Sequence, residues 1–493
     1  MSPLGRGAGK ADLDHGEWAE DPPAQERRAR SERRASERRA RAGAAPAPER
    51  RSTTSERRRA ARRQPDVRPG GEATTPRRAS QSRASLMPGP GVAERRAVIL
   101  ITFLLVVYGL VMAYSASAAE AYFRYDSSFY FVKRQLLWVL LGVAAMWVLS
   151  RVDYAWWRRV AMPLAGLVLV GLIAVLVPGV GSVVNGARRW IIVGGQGLQP
   201  SEFAKLAAVV LVAALIVRRP REIESPLGFA RLVAIGIVPA GLLIMLEPDL
   251  GTTLVLVVAV AAVLVAAGAR LRYLFSLVAA GCLAVLALIV IEPYRLERLV
   301  TFFDPWKDPQ GSGFQATQSL ISIASGRIIG VGLGNSVQKF GFLPEQGTDM
   351  ITGIIGEELG LIGLVVLLAL YVILAWTCFR IALNCKELFG KLLATGITAI
   401  VVGQACINVG AALGLLPLTG VPLPLVSLGG TSLVVVLAGL GILLNIATNR
   451  RSFIVVTAQR RRDTRNPRKT ATSGRAANSA RNSSAKVRQK PFH

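Results

Sequence analysis

Long apolar runs and short polar breaks alternate over most of the chain. Crossing a hydrocarbon layer takes about 20 residues of helix. Runs of that kind fall near 97–117, 134–151, 160–179, 201–217, 229–247, 250–269, 272–292, 351–378, 392–414 and 427–448. The pattern predicts an all-α polytopic integral membrane protein of ten transmembrane helices. Only EPDLG, residues 247–251, parts the fifth run from the sixth, which predicts a tight hairpin. One connection is long. Residues 293–350 include FQATQSLISIASGRIIGVGLG, amphipathic and punctuated by glycine, so the segment reads as ordered and packed on the membrane face.

Basic residues orient the spans. With the N-terminus inside, the inner loops carry Arg151, Arg158, Arg159, Arg218, Arg219, Arg221, Arg231, Arg270, Arg272, Arg380, Lys386 and Lys391. The short outer loops carry only Arg124, Lys133, Arg134, Arg188 and Arg189. That bias places both termini in the cytoplasm and the 293–350 loop outside.

Charge adds two tails to this picture. The formal net charge is +28, yet 52% of the 493 residues are hydrophobic. Residues 1–96 hold 23 Lys/Arg against 13 acids, and residues 450–493 hold 13 against one, Asp463. A soluble one-core enzyme and a basic nucleic-acid-binding fold are both excluded. The first tail repeats SERRA at 31–35 and 36–40, is too poor in apolar residues to fold, and reads as disordered. Its charge suits anionic lipid head groups; RNA binding and a merely solvated tail are the competing readings, and Met87 offers an alternative start. The 450–493 tail also reads as disordered and cytoplasmic, leaving 97–449 as the membrane domain.

Cysteine and histidine bring little chemistry. Cys282, Cys378, Cys385 and Cys406 are scattered without metal-ligand spacing, and His15 and His493 both lie in the tails. Catalysis in the core would have no histidine to use.

Polar residues instead gather in four segments assigned to the outer side. In NGARRWIIVGGQGLQPSEFAKLA (185–207), Pro200 and Ser201 mark a helix start, and Glu202 and Lys205 stand one turn apart. An ionisable pair in a span is a functional hypothesis by default, and a structural ion pair is its alternative. Arg188 and Arg189 suit an anion site or an interface anchor. In EPDLGTT (247–253), Asp249 is placed to cap the sixth helix. In LPEQGTDMITGIIGEELG (343–360), Asp349 lies at the start of the eighth span, where a helix N-terminus favours a carboxylate. Glu357 and Glu358 lie deeper in that helix and call for polar partners, so their structural use is favoured. Finally, GLLPLTGVPLPLVSLGGTS (414–432) breaks a helix at membrane depth, which is tolerated only under protein or beside water.

The strings NGARRWI, QPSEFAKLA, PDLGTT, QSLISIASG, GLGNSVQK, LPEQGTDMI, GEELG and PLPLVSLGGTS occur in this order on the predicted spans. Together they resemble the SEDS family (shape, elongation, division and sporulation), membrane glycosyltransferases of bacterial cell-wall synthesis. The resemblance covers roughly 97–450. GLGNSVQK and GIIGEELG are more similar to the division-associated branch than to the elongation branch. Three departures stand out: Gly347 and Met350 replace a histidine and a phenylalanine of the family's HTDFIF stretch, Leu428 replaces a tyrosine, and Arg327 replaces a glycine.

The resemblance implies a peptidoglycan glycosyltransferase that polymerises lipid II at the outer face of the bacterial cytoplasmic membrane, at the division septum. It implies Asp349 as general base, with substrate contacts at Arg188, Arg189, Lys205, Glu202, Glu345, Gln318 and Ser427. No protein-only metal site is implied; Mg²⁺ or Mn²⁺ would be held with substrate phosphates. The implied partners are lipid II, a class B penicillin-binding transpeptidase, other division proteins and membrane lipids, with no nucleic acid. Two rival readings remain open: a lipid II transporter, disfavoured by polar motifs clustered on one side without an inverted repeat, and a division scaffold, which has no need of Asp349.

Overall fold

The computed structural model describes residues 91–184, 186–291 and 300–465. Most of the two predicted tails falls outside these residues, as does the 292–299 stretch of the long loop.

Helices form where the apolar runs predict them. They are α1 (Val92–Tyr125), α2 (Tyr130–Leu149), α3 (Tyr154–Leu176), α4 (Pro200–Arg218), α5 (Pro226–Gly236), α6 (Val238–Leu246), α7 (Leu250–Ala266), α8 (Leu271–Ile291), α9 (Phe314–Ser325), α10 (Ile351–Asn384), α11 (Leu388–Ala412) and α12 (Gly430–Arg465). Short polar residues start several of them. Asp153 accepts from Ala155 N, Ser225 from Gly228 N and Asp249 from Thr252 N, while Pro200 takes the first helical position of α4.

Among the described residues, eight spans are long and apolar enough to cross a membrane, counting α5 and α6 as one. The fifth predicted run is thus two helices broken at Ile237, just ahead of Pro239. The sixth run forms α7, apolar but only 17 residues long, and the seventh forms the apolar α8. The first helix outruns its predicted span at both ends, starting at Val92. The last continues to Arg465, past the residue 450 boundary expected for the tail.

The loop between α3 and α4 departs from an all-helical reading. It folds as a three-stranded antiparallel sheet in the order β1 (Ser182–Val184), β2 (Ala187–Val193), β3 (Gln196–Leu198). Val183 pairs with Arg188 and Ile192 with Gly197. The β-branched run RRWIIV between two glycine turns is a strand signal that the ten-span pattern did not weigh.

Burial sorts the spans. The membrane windows of α4 and α12 are each 83% buried, against 17% for α2 and α3, so the former are central and the latter present themselves to lipid. Small residues let the backbones close up. A Cβ on Gly441 of α12 would lie 2.5 Å from the Met146 carbonyl of α2, and one on Gly396 of α11 would lie 2.3 Å from Val209 of α4.

The α10 helix is broken at Gly360 (φ 64°, ψ −161°). Residues 327–332 lie alongside the break and pair with it: Val331 N donates to Glu357 O (3.0 Å), and Leu361 N donates to Arg327 O (2.9 Å). Buried Glu357 accepts from Val337 N (2.9 Å), and buried Glu358 from Ser115 Oγ (2.6 Å), with Lys339 Nζ at 3.4 Å. Both carboxylates therefore fasten the long loop to α10, the structural use their position called for. The expected order of that loop is seen in α9, where Ser322 Oγ donates to Gly353 O (2.9 Å).

Candidate active site

Asp349 precedes α10 by two residues, and Met350, not Asp349, occupies the N-cap. What holds it is the re-entrant segment between α11 and α12. Three consecutive carbonyls are tied down: Gly347 O accepts from Leu428 N (2.8 Å), Thr348 O from Ser427 Oγ (2.5 Å) and Asp349 O from Asn408 Nδ2 (2.8 Å). The half-buried carboxylate lies against Gly420, where a Cβ would come within 3.3 Å of Asp349 Oδ2. Gly420 has φ +70°, so a side chain there would be strained as well as crowded.

Two of the family departures meet at this strap. A Cβ on Gly347 would lie 2.7 Å from Leu428 Cδ1, so the leucine occupies the space beside the glycine.

A second polar chain enters from α4. Lys205 and Glu202 are 1% exposed and paired at 2.8 Å, and Lys205 Nζ also donates to Gln404 Oε1 (3.3 Å). Gln404 Nε2 in turn donates to Pro422 O (3.2 Å) and Ser432 Oγ (3.0 Å). Lys205 is therefore spent on internal partners, and its reach to the re-entrant segment is through Gln404.

The EPDLGTT hairpin packs on the same segment. A Cβ on Gly251 would lie 2.5 Å from Thr419 O. Asp249 caps α7, accepts from Gln199 Nε2 (3.1 Å) and stands 4.0 Å from Arg189. Burial pushes its carboxyl up, against the opposing pull of the Thr252 N–H and Arg189. Glu247 is fully buried with neither side-chain oxygen hydrogen-bonded among the described residues, and burial, then the charge of Asp249, pushes it up to about 8 while Arg189 opposes.

The predicted site residues are thus only partly gathered. Ser427 reaches the residue before Asp349, its hydroxyl donating to Thr348 O. Arg188 and Arg189 are consecutive on β2 and so face opposite sides of the strand; Arg189 is the one that approaches Asp249. Glu345 is exposed, adopts φ 52° and accepts from Thr348 Oγ1 (2.7 Å), bracing the turn into Asp349. Gln318 is half-buried on α9, with no hydrogen bond to Asp349 or the arginines among the described residues. Sequence reasoning missed Gln404, Asn408 and Gln135, whose Nε2 donates to Ser427 O (3.1 Å). Two amides four residues apart in an otherwise apolar span were the available signal for the first pair.

Among the described residues no three His, Cys, Asp or Glu side chains gather closely enough to hold a metal ion, and Asp249 is already committed to its cap.

Comparison with known proteins adds the family. The FtsW/RodA/SpoVE cell cycle protein model matches residues 95–452. The chain is 44% identical over 356 residues to stage V sporulation protein E of Bacillus subtilis, covering 72% of this chain and 97% of the relative. It is 40% identical over 356 residues to a probable peptidoglycan glycosyltransferase FtsW of Geobacter metallireducens, covering 72% and 94%. Among solved structures, a chain from a peptidoglycan synthase complex that coordinates polymerization and crosslinking superposes with TM-score 0.61 at 33% identity, covering 72% of this chain and 97% of that one. The rod shape determining protein RodA of Thermus thermophilus superposes with TM-score 0.53 at 29% identity, covering 72% and 96%. With its motifs, its helical membrane fold and its full-length relatives in agreement, the chain belongs to the FtsW/RodA/SpoVE family of cell cycle proteins, the SEDS family that its sequence resembles.

Proposed function

We propose that the chain is a peptidoglycan glycosyltransferase that joins lipid II units into glycan strands, with Asp349 as the general base. The observation that carries this reading is the strap on Gly347–Asp349, which fixes a half-buried carboxylate over Gly420 at one end of the bundle. A carboxylate needs no raised pKa for this work when its position is fixed, since orientation contributes more than basicity. Asp349 takes the proton from the 4-hydroxyl of the acceptor sugar as that oxygen bonds to the anomeric carbon of the donor. The bond from the anomeric carbon to the pyrophosphate oxygen breaks, the lipid pyrophosphate departs with the electron pair, and the anomeric centre inverts.

The leaving pyrophosphate calls for positive charge. Arg189 is a candidate to supply it, being partly exposed and only loosely engaged by Asp249 at 4.0 Å. Lys205 serves the framework instead. Mg²⁺ or Mn²⁺ would enter held chiefly by the substrate's phosphates.

On this reading the Asp349 end faces outward from the bacterial cytoplasmic membrane and both termini are cytoplasmic. The working partners are a class B penicillin-binding transpeptidase and other division proteins at the septum, or their sporulation counterparts. The synthase complex among the similar structures supports a crosslinking partner.

The test is Asp349→Asn in the purified chain, with its transpeptidase present, assayed for strand formation from lipid II. Asn keeps the backbone carbonyl that Asn408 holds and removes the proton acceptance that the base role requires. A loss of at least about 10²-fold is expected. Activity above roughly a tenth of the parent rate would move the base elsewhere, with Glu345 next to test.

A further inference from the structure

Asn408 lies four residues from the end of α11 and is 2% exposed. Its amide is fully used. Nδ2 donates to Asp349 O (2.8 Å) and to Val421 O (2.8 Å), while Oδ1 accepts from Thr352 Oγ1 (2.8 Å). An asparagine amide has two N–H groups and one carbonyl oxygen, so both donors and the acceptor are engaged at once.

The two carbonyls it joins belong to different backbones. One is the peptide of Asp349 itself; the other follows Gly420, the residue the Asp349 carboxylate lies against. We propose that Asn408 is a positioning residue for Asp349, its amide setting the separation of the two backbones between which the carboxylate sits. The inference rests on the reading of Asp349 as the base.

The chemistry of the position is demanding. Aspartate would lose both donors and turn a carboxylate toward two carbonyl oxygens. Leucine has a similar volume but would leave both carbonyls and the Thr352 hydroxyl unpartnered in a buried place. Gln404, one turn earlier on α11, clamps the same re-entrant segment at Pro422 O but reaches Lys205 and not Asp349. Asn408 connects α11 to the reacting carboxylate's own peptide, through Asp349 O. A displacement of about 1 Å at a catalytic group is enough to cost on the order of 10²-fold in rate.

The test uses the full chain with its transpeptidase, with lipid II as substrate and two variants, Asn408→Leu and Asn408→Asp. The aspartate variant keeps the side chain's size and its acceptor for Thr352, so it carries the test if the leucine variant does not fold. Positioning predicts that kcat falls by about 10- to 100-fold while KM for lipid II stays within about twofold, because substrate contacts are intact. Hydrogen exchange should quicken over 345–352 while the interior of α4 and α12 keeps its protection. Either of two results overturns the proposal: a folded variant with kcat within about twofold of parent, or one whose defect lies in KM. Failure of both variants to fold also overturns it, since Asn408 would then serve the fold at large. Asp349→Asn run in parallel separates the two readings. If it is active, the base assignment falls, and a slow Asn408 variant would then act by another route. If it is inactive while the Asn408 variants are fast, the base stands and the positioning role alone falls.

Discussion

Glu247 is the residue whose surroundings depart most from what a carboxylate needs. Fully buried, without a hydrogen bond to either oxygen among the described residues and close to Asp249, it has its carboxyl pushed up from 4.5 to about 8. The folded state then binds one more proton than the unfolded state across that window, so stability falls as pH rises from about 4.5 to about 8. Glu247→Gln keeps the shape without the titration. The variant should melt at a higher temperature than the parent at pH 9, and its melting curve should vary less between pH 6 and 9. Equal pH dependence in both proteins would assign the effect to another group. Residue identity alone signalled Asp349, Asp249 and the Glu202–Lys205 pair. It did not reveal that Lys205 is enclosed by Glu202 and Gln404, nor that Gly347 and Leu428, two separate departures from the family pattern, touch each other. Partners of that kind are brought together by tertiary contact across many residues of sequence.

At the scale of elements, the break in α10 organises the long loop. Gly360 takes φ 64° and ψ −161°, a region essentially restricted to glycine, and a Cβ there would meet Gly330 N at 2.4 Å. Gly360→Ala should therefore destabilise by at least about 1–3 kcal/mol from the backbone alone, with the clash in addition. Thermal unfolding of the purified variant in detergent checks this; an unchanged midpoint would mean that the 327–332 pairing is dispensable. The apolar run that predicts this helix carries no sign of the break beyond one glycine, because hydropathy measures length and not continuity. The same limit explains the division of the fifth span at Ile237 and the unforeseen sheet over Ser182–Leu198. The caps were legible: Pro200 and Asp249 start their helices where local chemistry places them.

For the whole molecule, topology turns on the shorter helices. With 17 residues, α7 has a helical length of only about 25 Å, a little less than the usual hydrocarbon thickness of about 30 Å. If it spans, three crossings separate Glu224 from Gln310, and the two must face opposite sides. Glu224→Cys and Gln310→Cys, each in a background without native cysteines, should differ in labelling by a membrane-impermeant maleimide on spheroplasts. Only the latter should react before lysis; equal labelling would remove one crossing and overturn the ten-span reading. The sequence by itself determined the membrane class, the order of the apolar segments and the family, and marked Asp349 as the candidate carboxylate, because each is written in local hydropathy or in short contiguous motifs. Tertiary structure alone decided which partners each polar group has. The re-entrant segment draws α2, α4, α7, α10 and α11 to one place, and buried polar groups there must satisfy one another. Asn408 and Gln404 acquire their partners only through that packing, which is why Lys205 becomes part of the frame while Asp349 is held in place above Gly420.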